Sequence, residues 1–239
     1  MINKLPVVVI FCYNRLSHLK KTISSLKKNY NYKKYKIFIF SDGAKNIVDY
    51  QKIKKIRIYL KSLNNKKIKI VYNKKNIGLK KNVINGLNLV FKKNEKAIIV
   101  EDDLILNKFF LNYMTESLEF YSIKDNVGSI SSYTPIKSSY STFKDDVYFS
   151  RRHYSWGWAT WSKIWNNFVF DNKKLKKKIT KKKLNDFKKI GKDLPILLDL
   201  SLKNKISSWS IFFDYNCYIN KLLCVCPKYS IVKNLGFDN

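Results

Sequence analysis

An alternation over the first hundred residues constrains this chain more than any other feature. Four short runs rich in β-branched and aromatic residues, at 7–12, 36–40, 67–72 and 97–100, are separated by stretches whose apolar residues recur at helical spacing. Those stretches carry Leu16, Leu19, Ile23 and Leu26, then Ile53, Ile56, Leu60 and Leu63, then Leu79, Val83, Leu87 and Val90. Each set makes one apolar stripe along a helix. Strand and helix repeated in this way predict an α/β fold with a mostly parallel central sheet flanked by helices. In such a sheet ligands bind beyond the carboxyl ends of the strands, where the connecting loops converge.

The polar residues at those ends therefore belong to one crevice. They are Tyr13, Asn14 and Arg15 after the first strand, Ser41, Asp42 and Gly43 after the second, 73–78 after the third, and Glu101, Asp102 and Asp103 after the fourth. Three adjacent carboxylates repel one another more strongly as water is removed, so the triplet predicts a nearby cation, best a divalent one. An arginine, an aspartate and a metal site suit a nucleoside diphosphate whose phosphates the metal bridges. No Gly-x-Gly-x-x-Gly and no Gly-x-x-x-x-Gly-Lys-Ser/Thr occurs, which removes the usual support for dinucleotide and P-loop sites.

The second half has a different texture. A helix is predicted over 107–121, with Asn107 as its N-cap and Phe110, Met114, Leu118 and Tyr121 on one face. Strands are predicted at 127–133 and 147–150, with a loop at 135–144 between them. Trp156, Trp158, Trp161 and Trp165 follow within ten positions. Aromatic faces stack on the C–H faces of sugar rings, so the cluster suits a sugar-binding wall. Trp161 and Trp165 stand one helical turn apart and read as core. Trp156 and Gly157 are the better site candidates, because glycine lets backbone approach a ligand closely.

Five pieces carry a family resemblance: Pro6 to Arg15, Phe40-Ser41-Asp42-Gly43, Asn76-Ile77-Gly78-Leu79, Glu101-Asp102-Asp103-Leu104, and Ser155 to Trp161. In their order and spacing the chain resembles bacterial nucleotide-sugar glycosyltransferases of the GT-A fold, N-acetylglucosaminyltransferase I among the similar proteins. The resemblance implies a nucleotide-sugar-binding half at 1–104 and a merged acceptor-binding half at 105–239. It implies Mn2+ or Mg2+ as cofactor, with Asp103 as metal ligand, Asp102 and Glu101 toward ribose and donor sugar, Asp42 at the uridine and Arg15 beside the nucleotide. The donor it implies is a UDP-hexose or UDP-N-acetylhexosamine, first UDP-GlcNAc, and the acceptor a glycan or lipid-linked glycan of a bacterial surface polysaccharide. An inverting member needs a carboxylate to take the acceptor hydroxyl proton. The resemblance places that base near Trp209. The position after this tryptophan is Ser210, so Asp214 is the substitute, with Asp199, Asp193 and Glu116 behind it. Relatives usually continue past the last residues here, which implies a further C-terminal segment.

Charge adds a second theme. The formal net charge is +31, and residues 173–192 hold eleven lysines and one acid, interrupted by Leu175, Ile179, Leu184, Phe187 and Ile190. That spacing predicts a basic amphipathic segment able to lie on an anionic membrane surface. A basic nucleic-acid-binding protein or metal-dependent nuclease is the competing class, since pI and charge would suit it. No zinc-finger, RRM-like or helix-turn-helix pattern occurs, and acids occupy the best-formed strand end, so no nucleic acid is expected as partner. His18 and His153 have no neighbouring Cys or carboxylate at ligand spacing, against a structural zinc. Cys12, Cys217, Cys224 and Cys226 show no disulfide framework and predict reduced thiols in the cytoplasm. The first apolar run is too short for a span and lacks a cleavage site, which predicts neither anchor nor signal peptide.

Overall fold

A computed structural model describes residues 4–63, 65–136 and 144–236. Four parallel strands, β1 (Val7–Cys12), β2 (Ile37–Ser41), β3 (Ile68–Tyr72) and β4 (Lys96–Glu101), alternate with helices α1 (Leu16–Lys27), α2 (Ile47–Ser62) and α3 (Leu79–Phe91). After β4 come β5 (Leu104–Leu106), α4 (Phe110–Phe120), β6 (Val127–Ser131), β7 (Val147–Ser150) and β8 (Trp158–Trp161). Five helices follow: α5 (Ser162–Trp165), α6 (Asn172–Lys176), α7 (Lys181–Lys188), α8 (Leu194–Leu202) and α9 (Ser210–Ile219). Strands β9 (Leu223–Pro227) and β10 (Val232–Asn234) close the order.

One eight-stranded sheet runs β3-β2-β1-β4-β8-β6-β9-β7, and a small antiparallel pair joins β10 to β5. Strand β8 runs against both β4 and β6, and β7 against β9, while β6 and β9 are parallel to each other. Six of the eight strands thus share one direction, as the alternation predicts. The sheet continues unbroken from β4 into β8, so the two halves share one backbone framework.

The period-2 geometry of a strand explains why the early strands are apolar throughout. In β1, Val8, Ile10 and Cys12 face a core shared with α1, α2 and α4, while Val7, Val9 and Phe11 face a second core under α3. Strand β4 divides the same way, Ile98 and Val100 to one side and Ala97 and Ile99 to the other. Both faces are covered, which is what a parallel sheet requires. Each such side chain contributes about 1.5–3 kcal/mol when fully buried.

Three expectations shift. Helix α4 starts at Phe110 instead of 107, because Asn107 turns back, its carbonyl accepting from Phe110 N and its side chain from Phe109 N. Leu79 does not join the α3 stripe: it is the first helical residue after Gly78 and lies exposed at a pocket mouth. The 173–192 segment is two short helices whose Leu175 and Phe187 are buried with Leu194, Leu198, Ile211, Phe212 and Tyr215, and against which Ile179, Leu184 and Ile190 pack. Its apolar residues are spent on the protein's own core, which overturns their use as a membrane face; only the lysines remain outside. Most of the predicted 135–144 loop lies outside the described residues. No helix among the described residues is long and apolar enough to cross a membrane.

Candidate active site

Strands β1, β2 and β4 end side by side, and their loops enclose a pocket of about 260 Å3 lined by Tyr13, Asn14, Arg15, Asp42, Lys45, Asn76, Gly78, Glu101 and Asp102 among others. The sheet therefore gathers Arg15, Asp42, Glu101 and Asp102 into one crevice, with Asp103 adjoining. Inside it the carboxylates differ sharply in what they hold.

Asp42 is buried and saturated. Its Oδ1 accepts from Gly43 N at 2.8 Å, Asn73 Nδ2 at 3.1 Å and Ile77 N at 3.1 Å; its Oδ2 accepts from Asn76 Nδ2 at 3.1 Å and Gly78 N at 3.0 Å. Two carboxylate oxygens have about four lone-pair sites, so little capacity is left for a base. Asp42 acts as the clasp of the 73–78 loop. That loop in turn abuts Gly43, where a Cβ would come within 2.3 Å of the Lys75 backbone. Gly78, at φ +80, turns the chain into α3.

Asp102 is buried too and ties β1's loop to β4. Its Oδ2 accepts from Tyr13 N at 3.1 Å, its Oδ1 from Arg15 Nη2 at 2.7 Å, and its carbonyl from Thr22 Oγ1 at 2.9 Å. The same guanidinium reaches Asp103 Oδ2 at 3.0 Å. Arg15 is thus a cation the sequence calls for without naming, and it bridges two of the three carboxylates. Burial would depress the Arg15 pKa, but Asp102 and Asp103 outweigh burial and push it up. Burial raises the Asp102 carboxyl, against the pull of Arg15. Glu101 rises to about 8, through burial first and then its two acidic neighbours. Asp103 Oδ1 is buried with no hydrogen-bond partner. Among the described residues no three metal-ligating side chains converge. Asp103 Oδ1 is the buried oxygen the triplet leaves open to a metal, and Glu101 lines the pocket beside it.

Sequence reasoning missed Asp49. From α2 it accepts from Tyr13 Oη and from Asn14 Nδ2 at 2.8 Å, which fixes the β1 loop from the side opposite Asp102. Its only sequence signal is that it stands alone among basic residues, and spacing could not tie it to Tyr13.

Trp156 and Asp214 meet in a second hollow, of about 390 Å3, with Tyr133, Pro135, Arg152, His153, Tyr154, Ser155 and Ser210. Tyr133 and Trp156 rings lie 4.3 Å apart, and Tyr154 approaches Tyr133 at 5.9 Å. The register explains the placing. Ile99 pairs with Trp158 and Ser131 with Trp158, so two residues further on Trp156 falls between Glu101 and Tyr133 at the same sheet end. Asp214, on α9, accepts at Oδ1 from His153 N at 2.7 Å. Burial raises its pKa to about 6, against the opposing pull of His153 and Arg152. Arg152 itself is held by both oxygens of Asp193 at 2.9 and 2.8 Å. His153 is buried beside Trp158 and Phe213, with Nδ1 3.1 Å from Ser129 Oγ, contacts far apart in sequence and hence unseen there.

Gly157 requires a correction. It is buried at φ +62, and a Cβ there would come within 2.5 Å of Ser132 Oγ and 2.9 Å of Phe110. The space it leaves is filled by protein, so this glycine serves the turn into β8 and close packing, with no room for a ligand's approach. Trp161 and Trp165 are buried core, as their spacing implies. All four cysteines are free, Cys224 and Cys226 with sulfurs 3.9 Å apart.

Residues 7–190 match the family described as Glycosyl transferase family 2, and the chain belongs to that family. No curated protein matches it in sequence. Among solved structures it is similar to GalNAc-T7 with UDP, GalNAc and Mn2+, at TM-score 0.59 and 14% identity over 98% of this chain and 44% of that one. It is also similar to S. aureus TarS 1-349, at TM-score 0.51 and 13% identity over 94% and 58%. A third, the mannosyltransferase PcManGT from Pyrobaculum calidifontis in complex with GDP-Man and Mn2+, aligns at only 0.43 and 12% over 66% and 45%. The chain spans about half the length of these structures. The first two establish the GT-A fold, and the family match at residues 7–190 speaks against the nucleic-acid readings that charge alone would suit.

Proposed function

We propose that this protein transfers a hexose or N-acetylhexosamine, with GlcNAc the first choice, from a UDP-sugar to a glycan or lipid-linked glycan of a bacterial surface polysaccharide, with inversion. The reaction is placed at the cytoplasmic side of the inner membrane. The observation that carries the reading is Asp103: a buried carboxylate with one unpartnered oxygen, at the strand end beside a pocket fit for a nucleotide. Asp103 would be the one protein ligand to Mn2+ or Mg2+, the diphosphate supplying further oxygens, and the metal when bound stabilises charge on the departing UDP. The resident groups do the remaining work. Tyr13, Asn14 and the clasped 73–78 loop wall the nucleotide. Arg15 offsets the charge of Asp102 and Asp103, and its half-exposed guanidinium edge would face the phosphates. Asp102 borders the ribose and Glu101 the donor sugar, Trp156 and Tyr133 give the acceptor an aromatic surface, and Asp214 takes the hydroxyl proton as that oxygen attacks.

Titration calorimetry of UDP-GlcNAc, UDP-glucose, UDP-galactose and GDP-mannose, each with Mn2+ and with EDTA, tests the donor. Metal-dependent binding of a UDP-sugar is expected. Preference for GDP-mannose, or binding indifferent to metal, would overturn the donor assignment, and the anomeric configuration of the product by NMR decides inversion.

A further inference from the structure

Helix α2 is apolar on two sides. Asp49, Ile53, Ile56 and Leu60 are buried against the sheet, as one stripe of a helix should be. Another side exposes apolar residues as well: Ile47 is 74% exposed, Tyr50 54% and Ile58 60%. Ile47, Tyr50, Lys54, Ile58 and Lys61 are spaced three and four residues apart and so share one face. β-branched residues lower helix propensity, and Ile47 and Ile58 bury less than half of their surface within the chain in return. A groove of about 520 Å3 runs along this face, between Lys54, Ile58 and Lys61 on the helix and Lys74 and Lys75 on the β3–α3 loop. Residues 44–75 hold eleven cationic side chains and one acid, Asp49, which is already engaged by Tyr13 and Asn14. None of the four groove lysines takes part in an ion pair among the described residues.

From this we infer that the outer face of α2 docks on an anionic lipid bilayer, Ile47, Tyr50 and Ile58 entering the headgroup–acyl boundary while Lys54, Lys61, Lys74 and Lys75 receive lipid phosphates. The chemistry selects this occupant. Isolated phosphate would use the lysines but leave the isoleucines in water, and an apolar protein partner would meet four uncompensated ammonium groups. A bilayer interface with anionic lipid takes both at once. Segment 173–192 has the same charge and no such face, because its apolar side chains are in the core. The inference goes beyond the transfer reaction, since docking is read without donor or acceptor. It also places the membrane beside the donor pocket, because α2 begins immediately after Lys45, which lines that pocket.

Co-sedimentation of the whole chain with phosphatidylcholine vesicles containing about one third phosphatidylglycerol tests it, at about 0.1 M salt where exposed charges are partly screened. Lys54→Gln, Lys61→Gln, Lys74→Gln and Lys75→Gln together should weaken partitioning by about 10²-fold or more. Ile47→Ser with Ile58→Ser, which leaves the charge unchanged, should weaken it by about tenfold. The matched control is Lys176→Gln, Lys177→Gln, Lys181→Gln and Lys182→Gln, which should change it by less than about threefold. An environment-sensitive dye on Ile58→Cys should report an apolar setting with these vesicles and an aqueous one with pure phosphatidylcholine; the native cysteines are all buried. Equal losses from the two lysine quartets, no loss from the serine pair, or a dye at Ile58 that stays in water would each overturn the inference. Melting curves separate misfolding from lost docking.

Discussion

Asp42 and Asp214 are both buried aspartates, each lining one of two separate hollows, yet their surroundings are opposite. Asp42 receives five N–H donors from its own loops. For Asp214 the hydrogen bond found is one, from the His153 amide, and burial raises its pKa to about 6. A carboxylate whose lone pairs are filled by its own loops holds those loops and leaves little room for another partner. One held at a single oxygen and destabilised as an anion is poised to react near neutral pH. The pocket at Asp42 is thus lined by a clasped loop, and the hollow at Asp214 is aromatic with one sparsely bonded carboxyl, the proposed base.

The contrast can be broken experimentally. The largest effect is expected at Asp103, whose Oδ1 is a buried carboxylate oxygen without a partner. Asp103→Ala should lower sugar transfer by about 10³-fold or more and abolish the Mn2+ dependence of UDP binding, with a melting temperature near wild type. An unchanged Mn2+ response in that variant would remove the metal role from Asp103.

Next comes Asp214. Asp214→Asn should cost about 10²-fold in transfer with UDP affinity retained. In the wild type, transfer should rise with pH through about 6 as this carboxyl ionises, a limb the variant should lack. The stability sign is the reverse. The folded state holds this proton up to a higher pH than the unfolded chain does. Stability contributed by the protonated form is therefore lost as pH rises from the ordinary carboxylate range to about 6, and Asn should flatten that fall. A variant with wild-type turnover would shift the base to Asp199, Asp193 or Glu116.

Asp42 should register in stability first. Asp42→Ala leaves buried donors unpaired, at about 2–4 kcal/mol in denaturant unfolding, and should weaken nucleotide binding only through a loosened 73–78 loop. A variant that melts normally but loses UDP would make Asp42 a direct nucleotide contact after all. The smallest effect belongs to Trp156. Trp156→Ala should raise the acceptor KM about fivefold, the scale of one aromatic contact, with donor KM unchanged; a donor-side change would move that wall to the other hollow.

The first half was legible because burial on both faces of a parallel sheet leaves a plain signature in β1 and β4, and because polar residues collect at strand ends. Arg15, Asp42, Glu101 and Asp102 were all found in that way. Their division of labour was not legible. Whether Asp42 is a contact or a clasp depends on Asn73 and Asn76, more than thirty residues away in sequence. Arg15 spans Asp102 and Asp103 only once β1 and β4 are neighbours. The 173–192 segment misled for a similar reason. Helical spacing of apolar residues among lysines shows that a face exists but says nothing of what covers it, and here the chain's own α8 and α9 do.

One strand pairing has a consequence for the order in which the protein becomes itself. The backbone carbonyl of Asp103 is capped by Leu235 N, and β5, just past the triplet, has β10 as its partner. A ribosome therefore releases β1 to β4, with their local helices and short crossovers, long before it makes the piece that holds Asp103's backbone. The nascent chain can build its sheet and clasp its nucleotide loop early. The Asp103 backbone reaches its final setting only when residues 232–235 have emerged, so on the role proposed for its carboxylate an unfinished chain would lack activity.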